Sequence, residues 1–465
     1  MLFLSVCAFV FAEYSSSEEL KKMESEFVAK CANLFGWTDF GEPMKARDFN
    51  ELKDAAQKGV ANAQFAYGVH LLRGFGTGRN TKAAAEMFKA SAAQGNPYGA
   101  AAYAVCLLDG EGVNTDPKKA RALLKKSAAE ACPFAACRLG QEMLKSDSEL
   151  DRQIGFEFIK SAAELGDVYA KTVLASCYDR GLGVEKNPQL AKKLLLEAAD
   201  AGNAPALFAL GMLASKNNEG AKTISQYYER AAKINYPPAL SALGICHLSG
   251  AGVEVDYERA VKLLMRAAES DIVEAMNAIA VCYASGAGVE QSPQQAYKWF
   301  KRAAELGDAE AQNNLGNCYY YGKGVEENAE NAQRWYRLAA AQGNAAAQSS
   351  LAVLYLEGKS KNAAAKDAVV WLLRAAEAGD VEAQSNLGKC FLEGIGTEQN
   401  HTLAVKWLSL AAEKNDVEAL GNLGACYYLG MGVEKDAEKG KELLKKAAQL
   451  GNEEARKAYY RIQSE

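Results

Sequence analysis

Eleven cysteines carry the widest chemical repertoire in this chain, because a thiolate can be a nucleophile, a metal ligand or half of a disulfide. Seven of them, Cys106, Cys177, Cys246, Cys282, Cys318, Cys390 and Cys426, recur at one position of a repeating pattern, three residues after an apolar slot. Neighbouring copies of that pattern would hold them about 8–10 Å apart, one helix-packing distance, whereas a disulfide needs Cα atoms within about 7 Å. The spacing therefore predicts small buried hydrophobes. Cys132 and Cys137 lie close in sequence and either pair or stay free. Only three histidines exist, His70, His247 and His401; two fall at core or core-flank positions and none clusters with cysteines, so neither a metal site nor a cofactor is expected. There is no Ser-x-x-Lys, no GxSxG, no HExxH and no P-loop. Paired carboxylates such as Glu326 and Glu327 sit in solvated loops. The chain is not expected to be an enzyme.

The elements that place these residues are set by a period. GxGV recurs at Gly110, Gly181, Gly250, Gly286, Gly322 and Gly430, and Trp299, Trp335, Trp371 and Trp407 are each 36 residues apart. A period of this length marks stacked supersecondary units that cannot bury their apolar faces alone. Because these glycine pairs lie between two helices rather than after a strand, they are turns and not dinucleotide cradles. In the copy at 307–342, helix A covers about 308–321, with Ala311, Leu315 and Tyr319 on one face. Gly316 lets a neighbouring helix approach, Gly322 supplies a left-handed cap, Gly324 a second turn position and Val325 an apolar lid. Asn328 is placed to N-cap helix B, as are Asp116, Asn187, Asp256, Ser292, Asn400 and Asp436, with Pro117, Pro188 and Pro293 following in three copies. Helix B is expected to carry Ala332 and Trp335 inward.

Eleven copies start at Gly59, Gly95, Ala131, Gly166, Gly202, Asn235, Asp271, Gly307, Gly343, Gly379 and Asn415. The predicted fold is all-α, a right-handed α-solenoid of about eleven 36-residue helix-turn-helix repeats over 59–450. FNELKDAAQK (49–58) reads as a lone helix B within an N-terminal cap, 13–58. Residues 451–465 read as a C-terminal capping helix with Arg456, Lys457 and Arg461 on a polar face. Three copies depart from the pattern: that from Ala131 has SDSEL in place of the glycine turn, that from Gly202 is three residues short with KNNEG, and that from Gly343 has Gly358-Lys359-Ser360. Either these are decayed repeats or they serve a local change of twist.

The bulk numbers fit a globular chain, with 49% apolar and 24% charged residues and a net charge of −5. Basic and acidic residues read as mixed, which leaves no electrostatic footprint for nucleic acid. Residues 1–12, MLFLSVCAFVFA, are apolar but shorter than the roughly 20 residues of a membrane span. Val10 and Ala12 suit cleavage ahead of Glu13, although no basic residue precedes the segment; a signal peptide and a buried N-terminal helix are the two readings. Localisation follows that choice, periplasmic or secreted if the segment is cleaved and cytoplasmic otherwise.

The combined pattern G-D/N-x-x-A-Q-x-x-L-G-x-x-Y-x-x-G-x-G-V-…-A-x-x-W-x-x-x-A-A, clearest from Asp271 to Leu450, resembles the Sel-1-like repeat, a relative of the tetratricopeptide repeat. That resemblance spans roughly 45–465 and implies a right-handed superhelix acting as an adaptor for protein or peptide partners. It also implies a second possibility, since some secreted, cysteine-rich relatives bind penicillins or peptidoglycan fragments or act as weak β-lactamases. Those relatives pair a Cys late in helix B with one in the next helix A, where this chain has residues such as Ala304 and Gln312, and the missing Ser-x-x-Lys removes the usual serine nucleophile. A structural spacer without a groove ligand is the third class.

Helix A is expected to line the concave surface. With Leu315 at the core, Asn313, Asn317 and Tyr320 turn outward and Asn314 lies at the boundary, where Asn386 and Asn422 recur. Asn277, Lys389 and Tyr428 occupy corresponding outward places. Amides of this kind can hold an extended backbone while tyrosines cover its side chains. The expected partner is a protein or peptide bound by a monomer across 271–450, and the competing reading is that these residues only pack helices together. On the binding reading, replacing Asn314, Asn317 and Tyr320 by Ala weakens capture with little change in melting temperature.

Overall fold

The computed structural model describes residues 46–74, 77–359 and 364–464. Among them are 24 helices and no strand. They divide into two compact units, up to Asp256 and from Tyr257 onward.

The first unit holds α1 (Ala46–Gln57), α2 (Ala61–Arg73), α3 (Thr81–Ala93), α4 (Pro97–Asp109), α5 (Pro117–Ala129), α6 (Pro133–Met143), α7 (Glu149–Glu164), α8 (Val168–Arg180), α9 (Pro188–Asp200), α10 (Ala204–Lys216), α11 (Ala221–Lys233) and α12 (Pro237–Ser249). In the second are α13 (Tyr257–Ala268), α14 (Val273–Ser285), α15 (Pro293–Glu305), α16 (Ala309–Tyr321), α17 (Ala329–Ala341), α18 (Ala345–Leu356), α19 (Ala365–Glu377), α20 (Val381–Glu393), α21 (His401–Glu413), α22 (Val417–Leu429), α23 (Ala437–Gln449) and α24 (Glu453–Ser464). Even-numbered helices from α2 to α22 are the A helices, odd-numbered ones from α3 to α23 the B helices. Helix α1 covers most of the stretch 49–58 expected to be a B-type helix, and Arg456, Lys457 and Arg461 of α24 are exposed. The first 45 residues, including the apolar segment 1–12, lie outside the described residues, and no described helix is long and apolar enough to cross a membrane.

Local chemistry accounts for the boundaries. Asn328 Oδ1 accepts from Asn331 N at 2.9 Å, and Asp116, Asn187, Ser292, Asn400 and Asp436 cap their B helices in the same way. Each side-chain cap satisfies one N–H that a helix start leaves open. The two glycine types of the repeat do different work. Gly307, between a B helix and the next A helix, has φ +97° and open space around it, so only its backbone conformation matters. Gly324 has φ +77° and packs on the first turn of the preceding B helix, where an added Cβ would stand 2.1 Å from Pro293 O. The second position of the glycine turn is thus an inter-repeat contact as well as a turn.

Packing is carried by small A-helix residues against large B-helix ones. A Cβ on Gly316 would stand 2.5 Å from the ring of Tyr336, and one on Gly68 2.6 Å from Phe88. The expected inward Trp335 is only partly buried; Tyr336, one residue on and about 100° round the helix, fills the core at 1% exposure beside Ala332. Trp371 and Trp299 likewise flank the core and stack under cations, Arg374 at 4.9 Å and Arg302 at 5.6 Å, whereas Trp407 is buried in the core.

The three irregular copies keep their helix pairs by other means. In that from Ala131, Arg152 Nη1 donates to the carbonyls of Ser146 and Asp147 at 2.9 and 3.1 Å, closing the turn that lacks glycine. The short copy from Gly202 turns at Asn218, with φ +54°, and is tied to its neighbour by Lys192–Glu219 at 2.8 Å. In the copy from Gly343 the turn runs into 360–363, outside the described residues.

Candidate interaction surface

Among the described cysteines, thiol chemistry fails on geometry and electrostatics. All nine described cysteines are free and buried, Cys132 and Cys137 among them. Burial pushes the Cys318, Cys390 and Cys426 thiols up to about 11, which removes the thiolate that a nucleophile or metal ligand needs. His70 and His247 are buried, and no described group of His, Cys, Asp and Glu is arranged to hold a metal ion.

The A helices present the surface. Within each unit they pack on the A helices of neighbouring copies as well as on their own and the preceding B helix, for instance α16 on α18 and α20 on α22. This makes theirs the inner, more closely spaced side of the stack. A buried amide fixes three successive steps: Gln312 Nε2 donates to Ala304 O at 3.2 Å and its Oε1 accepts from Gln342 at 2.9 Å. Gln348 and Gln384 repeat the bond to Ala340 O and Ala376 O. This bond joins the end of one B helix to the start of the next A helix.

The surface residues expected from sequence separate into two groups. Asn277 and Asn313 do not point outward: each is 8% exposed, and the Oδ1 of Asn313 is buried without a partner among the described residues. The A helix is covered from three sides, so its buried arc is wider than one apolar stripe and takes in this position. Asn277 Oδ1 accepts from Asn314 Nδ2 at 3.2 Å, joining α14 to α16. Asn317 Oδ1 accepts from the Tyr336 hydroxyl at 2.7 Å; burial pushes that hydroxyl far up, so it stays a neutral donor. Tyr320 donates to the Glu357 carboxylate, accepts from Lys359 Nζ at 3.2 Å and lies under that ammonium at 4.2 Å. In this stretch Asn314, Asn317 and Tyr320 each have a polar group bonded to an internal partner, while Asn313 Oδ1 has none among the described residues.

The second group is unspent. Asn386 and Asn422 are half-buried on α20 and α22, and neither carboxamide has a hydrogen-bond partner among the described residues. Lys389 is exposed one turn from Asn386, and Tyr428 is half-buried on α22. Positions 386, 389 and 392 and positions 422, 425 and 428 form matching i, i+3, i+6 rows on touching helices. One charge feature escaped the sequence reading. The B helix α5, PKKARALLKKSAA, carries Lys118, Lys119, Arg121, Lys125 and Lys126 and no acidic residue. Apart from Lys119 over the Tyr103 ring at 5.6 Å, these are solvated side chains.

Paired helices with glycine turns, small-residue contacts and inter-repeat amide bonds define a helical-repeat scaffold. The Sel1 repeat family matches residues 61–96, 97–132, 133–167, 168–203, 237–271, 273–308, 309–344, 345–380, 381–416 and 417–452, and the chain belongs to that family. The shortened copy from Gly202 is skipped by this match, yet its helices α10 and α11 are formed. The chain is similar to c5321, a protective antigen of uropathogenic Escherichia coli strains displaying an SLR fold, at 28% identity over 90% of each chain with a TM-score of 0.61. A Sel1 repeat protein from Oxalobacter formigenes is 27% identical over 52% of this chain and 96% of its own, with a TM-score of 0.48. No curated protein matches. Sel1 repeats generally form non-catalytic scaffolds that mediate protein–protein interaction.

Proposed function

We propose that this chain is a non-enzymatic scaffold that holds an extended peptide or protein segment on the A-helix face of its second unit, centred on α20 and α22. The observation that carries this reading is the pair of carboxamides, Asn386 and Asn422, half-buried and without internal partners on touching helices. A carboxamide offers both a donor and an acceptor and so matches a peptide backbone, which needs both. Lys389 adds a charge that favours an acidic or C-terminal group, and Tyr428 a flat apolar surface. Asn314, Asn317 and Tyr320 belong to the support of the groove, because each already has a polar group bonded to an internal partner. Asn277 and Asn313 brace it from beneath.

Affinity capture from native extract tests the reading, with the wild-type chain, an Asn386/Asn422/Tyr428 alanine variant and an Asn314/Asn317/Tyr320 alanine variant as baits. A protein held by the wild type and lost from the first variant, with that variant's helicity unchanged, supports it. Equal capture by wild type and first variant refutes this placement. Sequencing the N-terminus of the native protein separates the two readings of residues 1–12: Glu13 as first residue supports export, and Met1 supports a cytoplasmic chain.

A further inference from the structure

Arg138 on α6 lies on the A-helix face of the first unit in a setting no other cation there shares. Its guanidinium is held between the Phe134 ring at 5.6 Å and the Tyr169 ring of the next A helix, α8, at 5.3 Å. Nη1 donates to Gln141 Oε1 at 3.1 Å, and Gln141 Nε2 in turn donates to the Tyr169 hydroxyl at 3.2 Å. These contacts fix both the plane and the direction of the guanidinium. Its remaining donors are not used by the protein: Nε is buried without a partner, and Nη2 has no acceptor among the described residues.

No carboxylate among the described residues forms an ion pair with Arg138. The acid in its field is Asp167, whose Oδ1 is committed to capping α8 through Ala170 N at 2.8 Å. Burial raises the Asp167 carboxyl above its ordinary range, and Arg138 pulls it partly back. Arg73, at the end of α2, contributes a second positive charge to the same surroundings; its guanidinium is lowered to about 10, chiefly by burial, with Glu111 opposing that shift and Arg138 among the cations that add to it. A clamped, planar guanidinium with unfilled donors has lost its rotational freedom before any ligand arrives, so less entropy is spent when a planar anion binds it.

We propose that Arg138, with Gln141 and Tyr169, recognises a carboxylate carried by a peptide laid along the A-helix face of the first unit. The carboxylate comes from an Asp or Glu side chain or from a chain terminus, both of which match the guanidinium fork. This reading goes beyond the groove on α20 and α22 and uses none of its residues.

The test is fluorescence anisotropy of the full chain with three labelled probes: a hexaglutamate amide, a Gly-Ser hexapeptide ending in a free carboxylate, and the same peptide as its amide. Binding of the first probe and not the second assigns a side-chain carboxylate; the reverse assigns a terminus. Arg138→Met, which keeps an unbranched apolar stem between the rings, is expected to weaken the bound carboxylate probe at least tenfold. Arg138→Lys keeps the charge without the planar fork and is expected to fall between. The Asn386/Asn422/Tyr428 alanine variant is expected to bind these probes as the wild type does, and its failure would instead move the carboxylate site to α20 and α22. Absence of binding by either carboxylate probe to the wild type, equal binding of the neutral amide, or undiminished binding by folded Arg138→Met overturns the proposal. If Arg138→Met does not fold by circular dichroism, the Arg138→Lys result decides, and wild-type affinity there overturns it.

Discussion

Two stretches of the same A-helix face, built on the same repeat, have put their polar groups to opposite uses. In α14 to α18, Asn314 bonds to Asn277, Asn317 to Tyr336 and Tyr320 to the Glu357–Lys359 pair. In α20 and α22, Asn386 and Asn422 occupy the same helical position as Asn314 and bond to nothing in the described structure. The difference comes from the residue one copy earlier. Asn314 meets the amide of Asn277, whereas Asn386 follows a copy with Ser349 there, and Asn422 one with Ser385, whose hydroxyl donates to the N-cap Asp416 at 2.7 Å. A short hydroxyl in place of a long amide leaves the next carboxamide unanswered. A recurring residue therefore does not have a recurring role, and a binding surface is better sought where the internal account stays open.

The largest expected effect that would break this comparison is on stability. Replacing Asn314, Asn317 and Tyr320 by Ala removes three internal polar links of roughly 1 kcal/mol each. Chemical denaturation should show a loss of about 2–4 kcal/mol, while Asn386/Asn422/Tyr428→Ala should cost under about 1 kcal/mol, as surface changes do. Equal losses would erase the distinction. This revises the expectation drawn from sequence, in which the first triple leaves the melting temperature nearly unchanged. Next in size is Tyr336→Phe, which keeps the buried ring and leaves Asn317 Oδ1 without its donor; a loss of about 1 kcal/mol is expected. The corresponding core residue beside α20 is Leu408, which has no hydroxyl, so no polar link is present there to lose.

The smallest effect is a pH dependence. The Tyr320 hydroxyl, then Lys359, holds the Glu357 carboxyl below its ordinary value. A depressed carboxyl contributes stability that is fully present above the unfolded value, about 4.3, and is lost as pH falls through the lower folded value. Acid titration of stability should therefore be shallower in Glu357→Gln than in the wild type below that pH. Parallel curves would show that this link contributes nothing to the first stretch.

What the sequence made legible is what is decided locally. The capping residues Asp116, Asn187, Ser292, Asn328, Asn400 and Asp436, the paired turn glycines and the Cys slot each depend on a few neighbouring residues, and these stand where their spacing placed them. Rotational phase was less legible. Trp335 and Tyr336 are adjacent and both apolar enough for the core, so the pattern could not choose between them; only Tyr336 faces Gly316. A single stripe through Leu315 puts Asn313 outside the buried arc, whereas three neighbouring helices widen that arc to include it. Arg138 was missed because its clamp joins residues from two copies, Phe134 and Tyr169, and its sequence neighbours give no hint of it. The open and closed halves of the surface likewise depend on contacts 31–37 residues apart, beyond the reach of local pattern.

Site-directed photo-crosslinking tests the central claim most directly. A benzoylphenylalanine at position 389 reports from the open rows of α20, and one at position 298 from the exposed outer side of α15. Irradiation in native extract should yield a discrete crosslinked protein from position 389, absent when Asn422 and Tyr428 are also replaced by Ala, and none from position 298. Crosslinking of the same protein from both positions, or from 389 regardless of those replacements, would contradict a partner held on this face.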